Sequence, residues 1–137
     1  DGSVNFQPSA QGYEYETQNE LLYFGLHESL KFINSIGIGK IQKHNEILSE
    51  RFFEELNKIE GCQILSPVER EYRSSMITFS IPGKNFNDIT GAMGKDKIRV
   101  RPVSEAGLNG VRVSFHLYNN LDDVDRAIKS IKNYLNS

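Results

Sequence analysis

Apolar residues recur at every third or fourth position in two long stretches near the start of the chain, which is the spacing of an amphipathic α-helix. The first stretch covers residues 18–36 and ends at Gly37, while the second covers residues 39–59 and ends at Gly61. Glycine is common just after a helix because it adopts the backbone conformation that closes the last turn. The pattern therefore predicts two consecutive helices. Residues 1–17 show no steady period, and we expect them to form an extended lead-in.

Two further helices are predicted nearer the end of the chain. A short one over residues 86–93 has Asn85 or Asn87 as its N-cap, and the last one follows Asn119 or Asn120. An asparagine at the N-cap accepts hydrogen bonds from backbone N–H groups that the first turn leaves unpaired. The apolar positions of the last helix repeat at helical spacing for about four turns.

Four short stretches between these helices have the composition or the alternation of β-strands. They cover residues 62–65, 76–81, 97–101 and 111–116. The order is helix, helix, strand, strand, helix, strand, strand, helix, and the links are short. This order predicts an α+β fold with a small, mainly antiparallel four-stranded sheet and helices packed on one face.

The composition excludes several classes of function. The chain has 137 residues, which suits one domain, and 16 Lys and Arg stand against 18 Asp and Glu, so no broad positive field can hold nucleic acid or an anionic membrane. No apolar run approaches the roughly 20 residues of a membrane helix. The single cysteine, Cys62, excludes a disulfide framework within the chain and favours a cytoplasmic location. Because the first residue is Asp1 rather than Met, we expect the chain to be a piece of a longer protein.

Alternation along the last two predicted strands gathers cations on one face of the sheet. These cations are Lys97, Arg99, Arg101 and Arg112. If the strands are neighbours, Arg101 and Arg112 lie near the mouth of the loop over residues 102–110. Since an arginine binds a carboxylate through two parallel hydrogen bonds, one interpretation is an anion site centred on Arg112. The alternative, which alternation alone favours, is the solvated face of a one-sided sheet.

Other candidate groups have simpler interpretations. His116 is expected to be a packed side chain, and His27 and His44 have no second ligand at metal-binding spacing, so no metal site is predicted. The glycines at residues 37–40 lack the spacing and the preceding strand of a phosphate-binding loop. Cys62 stands in an apolar stretch, which favours a core residue over a nucleophile.

Three segments of the chain carry a family resemblance. They read EYETQN at residues 14–19, FINSIG at residues 32–37 and VRVSFHLYNNLDDVD at residues 111–125. With these segments the chain resembles the C-terminal third of class V aminotransferases. These are the pyridoxal-phosphate (PLP) enzymes that include cysteine desulfurases and selenocysteine lyases. The segment over residues 111–125 is the most specific of the three.

The resemblance implies a division of labour between two domains of one protein. Residues 1–17 would lead in from an N-terminal large domain that holds PLP on a lysine, and residues 18–137 would form the small C-terminal domain. Arg112 matches the arginine that binds the α-carboxylate of the amino-acid substrate, and Thr17 matches a threonine that reaches the cofactor phosphate of the partner subunit in a homodimer. The resemblance assigns no catalytic residue to this chain, which would be inactive by itself.

The chain also departs from the family pattern. Glu16 stands where the family usually has glycine, and Gly12 stands where arginine is common. The loop over residues 102–110 lacks the cysteine that a desulfurase uses to form a persulfide, so the resemblance to desulfurases describes ancestry rather than reaction. Two alternatives stay open beside the PLP enzyme: a stand-alone α+β module that binds a small anionic ligand, and a domain that only dimerises.

Overall fold

The computed structural model describes residues 2–3, 5 and 19–137. The chain divides into two units, residues 1–37 and residues 38–137. The helices within the described residues are α1 (Glu20–Ile36), α2 (Ile38–Asn57), α3 (Phe86–Lys95) and α4 (Leu121–Leu135), and the strands are β1 (Gln63–Ile64), β2 (Met76–Ser80), β3 (Arg101–Val103) and β4 (Gly110–Ser114). Their order is the predicted one. The predicted lead-in over residues 1–17 lies almost entirely outside the described residues.

Helix α1 belongs to the first unit. It ends at Gly37, whose φ of 95° suits glycine and whose N–H donates to the Ile33 carbonyl over 2.9 Å. None of its described side chains is buried, and most of its large apolar side chains lie on the side of the axis away from Glu20, His27 and Lys31: Leu21, Leu22, Leu26, Leu30 and Phe32. A continuous apolar face of this kind is normally covered by another part of a protein. No helix in the described ranges is long and apolar enough to cross a membrane.

The second unit is built on an antiparallel sheet with the strand order β1-β2-β4-β3. Ile77 lies opposite Val113 and Phe79 opposite Val111 where β2 and β4 pair, and all four side chains are buried. They share one hydrophobic core with residues of α2, α3 and α4. The intervening strand residues, which point to the other face, are mostly exposed or half-buried. The predicted α+β fold with helices on one face of a small sheet is therefore confirmed.

Phe52 of α2 lies at the centre of this core. Its side chain is fully buried, and its ring centroid is 5.5 Å from that of Phe115 and 6.4 Å from that of Phe79. Tilted aromatic pairs at these distances are favourable beyond the area that they bury. Burial of such a side chain stabilises the fold by about 1.5–3 kcal/mol. The face of the sheet that carries Phe79 therefore packs against the helices.

A buried arginine fixes the segment that leads into β2. The Arg73 side chain is only 7% exposed and donates to Glu50 Oε2 over 2.6 Å and to the Val68 carbonyl over 2.9 Å. Its guanidinium also lies 3.8 Å from the centroid of the Phe53 ring. These contacts attach the segment to α2, and nothing in the sequence spacing indicates the pairing because Glu50 is 23 positions away.

The predicted strand over residues 97–101 is wrong in its position. Pairing with β4 begins only at Arg101 and continues to Val103. The preceding residues close α3 instead, because the Lys97 N–H donates to the Gly94 carbonyl over 3.0 Å and the Ile98 N–H donates to the Met93 carbonyl over 2.9 Å. This pair of bonds is the Schellman motif, in which the residue after the C-cap takes a left-handed conformation. Lys97 does so, with a φ of 60°.

The structure shows which of the predicted asparagines cap the last two helices: Asn85 caps α3 and Asn120 caps α4. The Asn85 side chain accepts from the Asn87 N–H at the start of α3. Asn120 caps α4 and forms a capping box, since its side chain accepts from the Asp123 N–H while the Asp123 carboxylate accepts from the Asn120 N–H. The box satisfies two backbone donors that would otherwise lack partners.

We predict that Lys97→Gly stabilises the chain by about 0.5–1 kcal/mol. Glycine adopts the left-handed conformation without the steric cost that a Cβ atom brings. The matched control is Lys95→Gly, two residues earlier at the last position of α3, where helical geometry makes glycine unfavourable by up to about 1 kcal/mol. Urea denaturation of the three proteins should therefore show shifts of opposite sign. A loss of stability in both variants would contradict the assigned role of Lys97.

Candidate anion site on the open face of the sheet

Arg112 lies in the middle of β4 on the open face of the sheet, which is the face opposite to the core. Its partners in register are Thr78 on β2 and Arg101 on β3, so the predicted closeness of Arg101 and Arg112 is confirmed. The side chain is half-buried, and its Nε atom is buried without a hydrogen-bond partner among the described residues. A buried donor that stays unpaired costs about 1–3 kcal/mol. An anion bound at this position would satisfy the Nε–H group.

Arg101 differs from Arg112 because it already has an anionic partner. Its guanidinium makes a close ion pair with the Glu105 carboxylate. The pKa of Glu105 is held below its usual value, first by a hydrogen bond from its own backbone and then by the charge of Arg101, the Ser104 backbone and the charge of Arg112. The carboxylate is therefore ionised at neutral pH, and the two arginines and Glu105 together carry one net positive charge.

The loop that carries Glu105 is held at both ends. Ala106 and Gly107 have φ angles of 54° and 74°, which form a tight left-handed corner directly after Glu105. Further along, Asn109 Oδ1 accepts from the Phe86 N–H over 2.9 Å, and Asn109 Nδ2 donates to the Lys84 carbonyl over 2.7 Å. Asn109 thus fastens the loop to the start of α3. Sequence reasoning missed this role, because the partners lie 23 and 25 positions away.

The other cations of the predicted face do not join the site. Lys97 closes α3, and Arg99 lies in the unpaired segment before β3, exposed and without an ion pair among the described residues. His116 is exposed, so the expectation of a packed side chain is wrong. Its ring stacks on Tyr118 with centroids 5.3 Å apart, and its backbone N–H donates to Asn119 Oδ1.

The predicted cofactor contact Thr17 cannot be placed, and the other two histidines lie on α1 and α2 rather than on the strands of the arginine pair. Thr17 falls outside the described residues. His44 Nε2 lies 2.9 Å from the Asn119 carbonyl, a contact that joins α2 to the segment before α4. His27 lies on the exposed α1 beside Glu28. No group of three or more His, Cys, Asp or Glu side chains in the described ranges could hold a metal ion.

The chain is similar to proteins of one known family over most of its length. A family model described as aminotransferase class-V matches residues 3–127. The chain belongs to the class V aminotransferase family. It is 27% identical over 138 residues to a probable cysteine desulfurase 2 from Mycobacterium leprae, a match that covers 94% of this chain and 33% of that protein. The chain thus spans about a third of the length of this relative.

Solved structures show the same fold. The apo structure of the cysteine desulfurase from Thermococcus onnurineus NA1 is 26% identical to this chain with a TM-score of 0.85, over 93% of this chain and 34% of that one. A mutant of the enzyme C-DES with glycine covalently linked to its PLP cofactor is 14% identical, with a TM-score of 0.76 over 92% and 35% of the two chains. The fold of this chain is therefore that of the C-terminal region of cysteine desulfurases.

Cys62 is the single cysteine of the chain, so its reactivity bears on whether the chain could use a thiol of its own in sulfur transfer. The thiol is half-buried against the hydrophobic core, and burial raises its pKa to about 11. A nucleophilic cysteine needs the opposite shift, because the thiolate is the reactive form. The expectation that Cys62 is a core residue agrees with these observations.

We predict that Cys62 reacts slowly with iodoacetamide at neutral pH and that its rate rises through pH 10 without a plateau. The physical reason is the raised pKa, which keeps the thiol protonated until the pH approaches about 11. The measurement is the alkylation rate against pH in the folded chain, with the urea-unfolded chain as control. An inflection near the ordinary value of about 8.5 in the folded protein would contradict this assignment.

Proposed function

We propose that this chain is the C-terminal domain of a PLP-dependent class V enzyme that acts on an amino acid, and that Arg112 binds the α-carboxylate of the substrate. The observation that carries the proposal is the buried, unpartnered Nε atom of Arg112 on the open face of the sheet. A guanidinium is planar and presents parallel donors, so a carboxylate is the anion that it fits best.

The described residues fit the substrate side of such a site. Arg112 would bind and orient the amino acid through its carboxylate, which fixes the position of the bonds at Cα relative to the cofactor. PLP, when bound to a lysine of the large domain, supplies the electron sink for cleavage of one of those bonds. Thr17 remains the proposed contact to the cofactor phosphate across a homodimer. The choice among transamination, elimination and racemisation belongs to groups outside this chain.

Helix α1 supports the second part of the proposal, an N-terminal large domain of the same protein as partner. The helix exposes a wide apolar face, with Leu21 at 80% and Leu22 at 71% exposure. Such a surface is unstable in water unless another part of the protein covers it. The similar proteins are about three times longer than this chain, which leaves ample sequence for that cover. A cytoplasmic location, expected from the single cysteine, belongs to the same proposal.

Two features of the chain argue against a persulfide step in the proposed reaction. The loop contains no cysteine, and the thiol of Cys62 is half-buried with a raised pKa. We therefore propose that this chain does not carry a persulfide, in contrast to the activity that the names of its relatives suggest. The family fold would then serve another reaction of an amino acid.

Replacement of Arg112 tests the proposed anchor. In the complete enzyme, Arg112→Ala should raise the KM for the amino-acid substrate by about 10- to 100-fold, the range of a lost hydrogen bond to a charged group, and leave the visible absorbance of the cofactor unchanged. Arg99→Ala, which removes an exposed cation nearby, should change KM less than about twofold. Equal KM values for wild type and Arg112→Ala would refute the anchor.

The isolated 137-residue chain tests the proposed division between domains. PLP added to this chain, followed by borohydride, should leave no stoichiometric covalent adduct in the mass spectrum, because the cofactor lysine would lie in the large domain. The same chain unfolded in urea and treated in parallel gives the background of adventitious lysine labelling. One equivalent of PLP trapped on a single lysine of this chain would contradict the proposal.

A further inference from the structure

The two arginines of the open face stand directly opposite each other but have different partners. Arg101 on β3 and Arg112 on β4 are in register, and side chains at such positions start only about 5 Å apart. Arg101 is engaged by the Glu105 carboxylate, whereas the Nε atom of Arg112 has no partner among the described residues. Glu105 therefore decides how many of the two cations are available to a ligand.

Glu105 is a fixed charge rather than a mobile side chain on a loose loop. The left-handed corner at Ala106 and Gly107 and the two hydrogen bonds of Asn109 hold its loop in place. The ion pair of Arg101 and Glu105 is exposed, at 54% and 58% of the two side chains, so it contributes little to stability. Its main effect is on the charge of the site.

We infer that Glu105 is a specificity determinant that restricts the site to substrates with one carboxylate. The inference rests on the proposed role of Arg112. With Arg101 neutralised, one cation is left for the α-carboxylate. A second carboxylate, as in aspartate or glutamate, would meet an arginine that is already paired and would be repelled by Glu105 itself. Amino acids with uncharged side chains are therefore the preferred class, and this repulsive element discriminates against dicarboxylic ones.

The test compares how two amino acids bind to the complete enzyme with its cofactor. L-alanine and L-aspartate are titrated by calorimetry at low ionic strength, where exposed charges are least screened. The proteins are wild type, Glu105→Gln, Arg112→Gln and the charge-matched control Glu54→Gln, which alters an exposed residue of α2. We expect Glu105→Gln to raise the affinity for aspartate relative to alanine by about two- to fivefold, the range of one partly exposed ion pair. Glu54→Gln should leave this ratio unchanged.

The variants separate failure of the inference from failure of the proposed function. If Arg112→Gln weakens both amino acids while Glu105→Gln leaves their ratio unchanged, the anchor stands and the inference is overturned. An equal loss of both affinities in Glu105→Gln, with a lower Tm, would assign Glu105 a structural role only and also overturn it. If Arg112→Gln affects neither amino acid, the proposed function fails, and the inference fails with it.

Discussion

Phe52 of α2 packs against Phe79 of β2 and Phe115 just beyond β4, and this contact commits one face of the sheet to the core. Side chains alternate between the two faces of a strand, so every residue between the buried ones must point to the other face. Arg112 lies between Val111 and Val113, both buried. Its position on the open face is therefore a direct consequence of the packing of the helices.

The end of α3 determines how the second arginine enters the site. Lys97 and Ile98 donate their N–H groups to α3, so the chain becomes free to pair with β4 only at Arg101. Arg101 is then opposite Arg112, and Arg99 is left in the unpaired segment. A helix cap thus limits a row of alternating cations to one pair. The loop after β3 brings Glu105 back to that pair, so the site holds two cations and one anion.

Different residues determine the fold of this chain and its proposed chemistry. The fold follows from the apolar pattern of the chain, and solved structures that are 14–26% identical to it have the same fold. The proposed chemistry depends on a few polar groups on the open face and on what the loop over residues 102–110 contains. This loop contains Glu105 and no cysteine. In the proposed site it would therefore select substrates by charge and would supply no thiolate. Similarity of fold therefore does not decide the reaction.

The sequence by itself determined the α+β fold and the order of its elements, because periodic burial and short links leave few other arrangements. It predicted that Arg101 and Arg112 lie close together only if the last two strands are neighbours, and the tertiary structure supplied that pairing. The sequence could not place the start of β3, since alternation over residues 97–101 looks the same whether the N–H groups pair with a strand or cap a helix. The Arg73–Glu50 and Asn109–Lys84 contacts and the exposure of His116 were decided only by the tertiary structure. Those contacts join residues more than 20 positions apart, and no local pattern records such pairs.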